Sequence, residues 1–214
     1  MDNCMDKKIR NLIFDFGGVL VDLDKQQTVQ SFAELGIDVQ EHIRDYVQGG
    51  PFALLESGAA TPQEFLETLR QMSTRAEKPT DEQIAGAWNR MLVRIPERRL
   101  QALKQLREHY RVFLLSNTNT IHWDYSARYL FTVQGGHVED YFDHIYLSCD
   151  LKLMKPGKEI FQEVLRREQL EASETFFIDD SAANCAAASA LGIRPIVRPK
   201  PTTGCLYLFP NSRI

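Results

Sequence analysis

Residues 13–22 read Ile13-Phe14-Asp15-Phe16-Gly17-Gly18-Val19-Leu20-Val21-Asp22, and the reading of this stretch decides the fold. With Leu12 in front, Ile13 and Phe14 form a short apolar run of the kind a buried strand needs, and it stops at a carboxylate followed by two glycines. In open parallel sheets ligands lie outside the carboxyl ends of the strands, so a strand that delivers Asp15 into a glycine loop puts an acid where a site belongs. Asp-x-Gly also makes ordinary turns, in which the Asp bonds the backbone ahead of it. The rest of the chain has to choose between the two.

Val19 to Asp22 follows too closely for a crossover helix and reads as a small flap over the strand end. From Asp24 the apolar period becomes helical, with Val29, Phe32, Ala33 and Leu35 on one face and Gly36 as the stop. Thr61-Pro62-Gln63-Glu64 combines a Thr N-cap, a Pro at the first helical position and a Glu three residues after the cap, which is a capping box. Thr80-Asp81-Glu82-Gln83 repeats the device ahead of Ile84, Ala87 and Trp88. Residues 24–94 therefore read as a small all-helical module, whose Phe, Trp and Met stripes are core between its helices rather than a substrate box.

Beyond it, strands and helices alternate. Leu100, Leu103 and Leu106 share a helical face, and Val112 to Leu115 is an apolar strand ending in Ser116-Asn117-Thr118-Asn119. Ile145 to Leu147 is a further strand, with a loop reaching Lys155-Pro156. Phe176 to Ile178 ends in Asp179-Asp180, followed by an Ala-rich helix and a last strand at Ile196 and Val197. The alternation predicts an α/β fold with a doubly wound, Rossmann-like parallel sheet. Residues 1–23 and 95–214 would form its core domain, and 24–94 a helical insertion.

Composition narrows the function. The 214 residues suffice for one large α/β domain or a main domain with a smaller insert, and 43% hydrophobic residues support a packed core. A net charge of -4 without a Lys/Arg cluster provides no field for a nucleic-acid backbone. Met1 to Arg10 is polar and no run approaches a membrane span, so a cytoplasmic protein without membrane partners is expected. Cys4, Cys149, Cys185 and Cys205 are scattered and read as reduced thiols. Oligomeric state is open at this level.

Parallel strands present their C-termini along one edge, so Asp15, Ser116-Asn117, Asp179-Asp180 and Lys155 should converge. Carboxylates at Asp15 and Asp180 are hard oxygen ligands suited to Mg²⁺, which would shield an anionic phosphate from an attacking carboxylate. Lys155 offers a point charge and Ser116 a hydroxyl to phosphate oxygens. Taken singly each has a plainer role, as turn residue, solvated lysine or helix cap. Their joint occurrence on successive strand ends points to phosphate chemistry.

With these residues in hand, the chain resembles the haloacid dehalogenase superfamily of hydrolases with a helical cap of the C1 type. Phe14 to Leu20 is similar to that family's first motif, Leu115-Ser116-Asn117 to its second, Lys155-Pro156 to its third, and Ile178-Asp179-Asp180 with Asn184 to its fourth. The match spans about Arg10 to Ile196 and is nearest in wording to phosphomonoesterase members. The resemblance implies a Mg²⁺-dependent phosphatase acting on a small phosphorylated metabolite, such as a sugar phosphate, through an aspartyl-phosphate on Asp15. It further implies Ser116 and the Asn117 main chain as phosphate ligands, and Lys155 as charge stabiliser and orienter of Asp15. Asp15, Gly17 through its carbonyl, and Asp180 would be the metal ligands, with Asp179 in a position where many members have Gly.

Gly17 is the departure, because most phosphatases of the superfamily carry there an Asp that acts as general acid and base. Loss of such a group costs ~10²–10⁴-fold in rate. Asp22 and His122 are candidate substitutes, His122 reading otherwise as an ordinary loop residue. Two alternatives follow: a dehalogenase acting on 2-haloacids with the same nucleophile, and a non-catalytic phosphate- or protein-binding member.

Overall fold

The computed structural model describes residues 8–43, 49–132 and 135–197. Cys4, Cys205 and the apolar patch Leu206 to Phe209 lie outside them. Seven short strands are present among the described residues: β1 (Asn11–Phe14), β2 (Asp22–Leu23), β3 (Leu92–Arg94), β4 (Arg111–Ser116), β5 (His144–Leu147), β6 (Thr175–Asp179) and β7 (Arg194–Val197). Five of them form a parallel sheet in the order β5-β4-β1-β6-β7. The order reverses at β1, so Asp15 emerges in the centre of the sheet, at the switch point where doubly wound folds bind ligands.

Alternation along each strand divides the core in two. Leu12, Phe14, Val112, Leu114 and Ile178 face one layer with Leu100 and Leu103 of helix α5 (Glu97–Arg107). Ile13, Phe113, Leu115 and Phe177 face the other. There they meet Ile160, Phe161 and Val164 of α8 (Lys158–Glu168) and Ala188 of α9 (Ala182–Ser189). Apolar residues at both parities of a strand are the mark of a sheet covered on both faces.

The chain leaves this core through β2 and returns through β3, which pair antiparallel. Between them lie α1 (Lys25–Glu34), α2 (Gly50–Glu56), α3 (Pro62–Met72) and α4 (Asp81–Asn89). Both capping boxes are formed, at Thr61 with Glu64 and at Thr80 with Gln83. These helices enclose their own apolar cluster, with Phe32, Phe52, Phe65 and Trp88 fully buried and the Phe52 and Trp88 rings 4.7 Å apart.

Two local expectations are corrected. Val19, Leu20 and Val21 are not a flap: the turn closes through Gly18 N–H to the Val21 carbonyl at 2.9 Å, and all three side chains are buried in the first core layer. The stretch after the second motif, expected as loop, forms α6 (Thr120–Tyr129), capped by the Asn119 side chain. Its buried residues are His122 and Ser126, so it carries no apolar stripe for a periodicity reading to find. Among the described residues no helix is long and apolar enough to cross a membrane.

Candidate active site

Lys155 ties the carboxyl edge of the sheet together. Its ammonium donates to Asp15 Oδ1 at 2.6 Å, to the Leu115 carbonyl at 2.9 Å and to Asp179 Oδ2 at 2.9 Å, reaching the ends of β1, β4 and β6 at once. An ammonium has three protons, and all three are placed. The Lys155 backbone is held in turn by Asn117, whose Nδ2 donates to the Lys155 carbonyl at 2.8 Å and whose Oδ1 accepts the Lys155 N–H at 2.9 Å. The Asn117 side chain is therefore engaged in placing Lys155, which leaves its main chain for a ligand.

Asp179 is buried and fully bonded. Oδ1 accepts from Ser181 N–H at 2.7 Å, and Oδ2 accepts from Asn184 Nδ2 at 3.0 Å as well as from Lys155. The sequence reading places Asp179 at the converging edge and ranks it behind Asp180 as a metal ligand. The structure makes it a support of Lys155, and Asn184 of the fourth motif is what orients it. Asp180, half-buried, lies against the Gly17-Gly18 turn: a Cβ on Gly18 would stand 2.7 Å from Asp180 Oδ2, and Gly18 has φ +73. Glycine is required there on both counts. Ser116 is buried at the end of β4.

Burial governs the charges. It pushes the Asp15 carboxyl up, Lys155 pulls it down and Asp179 pushes it up again, leaving it at about 7. For Lys155 burial disfavours the ammonium, but the charges of Asp15 and Asp179 outweigh it and the pKa is raised. Lys155 is thus held as an ammonium between two carboxyl groups.

Asp15, Asp179 and Asp180 also offer carboxylate oxygens that all lie within 4.8 Å of one another. Three hard oxygen donors against one ammonium are a set that a divalent cation such as Mg²⁺ fits.

These groups open into one cavity of about 1090 Å³, walled on one side by the sheet edge and on the other by Lys25 of α1, Glu56 of α2 and Met91 and Leu92 after α4. The two substitutes considered for Gly17 both line it, and neither is suited to proton transfer. Asp22 is ion-paired with Arg99 at 2.8 Å and Arg94 at 3.6 Å. His122 is buried in α6 rather than exposed in a loop. Its ring stacks on Trp88 at 4.2 Å, its Nε2 lies 3.1 Å from the Trp88 carbonyl, and burial lowers it to about 4. A neutral imidazole donating Nε2–H to that carbonyl satisfies the contact, and leaves it a joint between α4 and α6.

Sequence and structure comparisons place this architecture in a known class. Residues 9–192 match the model of the haloacid dehalogenase-like hydrolases. The chain belongs to that family and is a hydrolase. It is 36% identical over 185 residues, covering 86% of this chain and 89% of the relative, to the D-ribitol-5-phosphate phosphatase of Bacteroides thetaiotaomicron. A haloacid dehalogenase family enzyme of the same organism, crystallised with magnesium and inorganic phosphate, superposes with a TM-score of 0.87 at 40% identity, covering 94% of this chain and 97% of that one. A hydrolase of the family from Porphyromonas gingivalis gives a TM-score of 0.82 at 33% identity, covering 91% and 93%.

Proposed function

We propose that the protein is a Mg²⁺-dependent phosphatase that hydrolyses a small sugar or polyol phosphate through an aspartyl-phosphate on Asp15. The observation that carries this reading is the convergence of Asp15, Lys155 and the acids Asp179 and Asp180 at one sheet edge. A binding module has no need of a buried carboxylate held by an ammonium, and a halide pocket would be apolar where this sheet edge gathers Asp15, Asp179 and Asp180 around Lys155. The relatives support the same reading, one named for D-ribitol 5-phosphate and one crystallised with magnesium and phosphate.

In this mechanism Lys155 holds one Asp15 oxygen and thereby aims the other at phosphorus. Attack forms the Asp15–phosphorus bond as the ester P–O bond breaks, and water then cleaves the acyl phosphate, returning Asp15 and releasing inorganic phosphate. Ser116 Oγ and the Asn117 main chain bind the phosphoryl oxygens. Asp15, Asp180 and the Gly17 carbonyl would hold Mg²⁺, with Asp179 completing the acidic cluster; bound there, the ion would offset the repulsion between Asp15 and the phosphate. Residues 24–94 act as a cap that closes the cavity and sets specificity.

Phosphate release from a panel of ribitol 5-phosphate and hexose 1- and 6-phosphates, with Mg²⁺ or EDTA, tests this. Turnover should require Mg²⁺ and fall on the order of 10⁵-fold or more in Asp15→Asn, as removal of a nucleophile does. Phosphate binding without turnover of any ester would give the case to the non-catalytic alternative.

A further inference from the structure

Gly17 leaves this site without a proton donor in the usual place, yet the cavity contains a further carboxyl outside the network around Lys155, faced by the charge of Lys25. Glu56 is the last residue of α2 and is 9% exposed. It stands one helical turn after Phe52, on the buried face of the helix, where packing alone would ask for an apolar side chain. None of the hydrogen bonds among the described residues engages its carboxyl group, although it lines the same cavity as Asp15, Ser116 and Lys155. The other acids on that wall are engaged: Asp22 with Arg99, and Asp24 as the N-cap of α1, accepting from Gln26 and Gln27 N–H.

The backbone under Glu56 is fastened to the sheet edge through the short helix α7 (Ser148–Leu151). Ser148 Oγ donates to the Glu56 carbonyl at 2.6 Å and accepts the Thr118 N–H at 2.9 Å, and Thr118 is two residues beyond Ser116 in the phosphate-side loop. At Gly58 a Cβ would stand 2.1 Å from the Cys149 carbonyl, so the turn after α2 lies directly on the core and admits only glycine at its φ of +68. The helical segment thus presents this one side chain from a fixed point on the border between cavity wall and catalytic edge.

We propose that Glu56 is the general acid and base of this enzyme, replacing the acid that Gly17 lacks. The proposal rests on the phosphatase reading above. Protonated Glu56 gives its proton to the ester oxygen as the P–O bond breaks and Asp15 becomes phosphorylated, releasing the neutral alcohol. The Glu56 carboxylate then takes a proton from the water that attacks phosphorus, so that Asp15, inorganic phosphate and protonated Glu56 are restored together. Burial raises the Glu56 carboxyl to about 8 against the opposing charge of Lys25, which keeps it protonated at neutral pH, as the first step requires.

A leaving-group comparison decides the matter. For wild type, Glu56→Gln and Glu56→Asp, kcat and KM are measured on an alkyl phosphate, the best of the sugar or polyol panel, and on p-nitrophenyl phosphate, whose phenolate leaves without a proton. Glu56→Gln should lose ~10²–10⁴-fold in kcat on the alkyl ester with KM little changed, and should keep most of its rate on the aryl ester. Glu56→Asp should retain more of the alkyl rate than Glu56→Gln. Equal losses on both esters, or a raised KM with kcat kept, would overturn the proposal and leave the phosphatase reading intact, the second result marking Glu56 as a ligand of a substrate hydroxyl. Folded wild type that releases phosphate from neither ester would overturn both.

Discussion

The carboxyl edge of the sheet and the helical segment above it follow opposite rules. At the edge the groups around Asp15 are interlocked: Lys155 has three acceptors, Asp179 three donors, and Asn117 returns two bonds to the Lys155 backbone. In the segment the interior is a cluster of aromatic rings in tilted and edge contacts, with no charged network inside it among the described residues. Buried polar atoms without a partner among those residues occur both there, at Trp88 Nε1 and Asn89 Oδ1, and beyond the edge, at Asn119 Nδ2 and Thr120 Oγ1. The difference teaches where accuracy is needed. Reacting groups have to be held in one geometry, which saturated charge-assisted hydrogen bonds achieve. The wall contributes shape and the Glu56 carboxyl, which is held by burial and by its fastened backbone rather than by side-chain hydrogen bonds among the described residues.

Breaking the edge should have the largest effect on stability. Lys155→Met leaves Asp15 and Asp179 facing each other without their shared ammonium, and removing one partner from a buried pair costs about 3–5 kcal/mol. Urea unfolding at neutral pH measures it, and a loss below about 1 kcal/mol would mean the network positions Asp15 without holding the fold. Turnover should vanish in the same variant.

The joint between the regions comes next. His122 has its folded pKa lowered to about 4 from an ordinary 6.5, so the unfolded chain binds the extra proton first. Its contribution is present above pH 6.5 and is lost as pH falls towards 4, with a full size of about 3 kcal/mol. Unfolding free energies at pH 7 and pH 4.5 for wild type and His122→Phe should show the steeper loss in wild type. Parallel profiles would mean that His122 takes its proton as readily in the fold as in the unfolded chain, hydrated there rather than buried.

The smallest effect belongs to the periphery of the helical segment. Thr61→Ala removes the hydroxyl that accepts Glu64 N–H and should cost about 1 kcal/mol without altering kcat, because the α3 cap lies away from the cavity lining. A change in kcat there would show that the segment's outer helices are coupled to the site.

Much of this was legible in the chain. Apolar runs that stop at Asp15, at Ser116 and at Asp179 announce strands and their site-bearing ends, and the two Thr-x-x-Glu/Gln boxes announce helix starts, because these signals are local and written in residue type. The convergence of the acids with Lys155 followed from one topological rule about parallel strands. What the tertiary structure alone decided lies where local pattern and environment disagree. Helix α6 escaped because its buried face is His122 and Ser126, and the part Asp179 plays in holding Lys155 shows only in its contacts with Lys155 and Asn184. Glu56 belongs to no sequence motif, and only the packing of α2 on Ser148 and Cys149 makes it a buried carboxyl at the cavity wall. Periodicity reports which positions of one element are apolar. The meaning of a polar side chain depends on what other elements bring within a few ångströms of it, and that is settled only when the chain has folded.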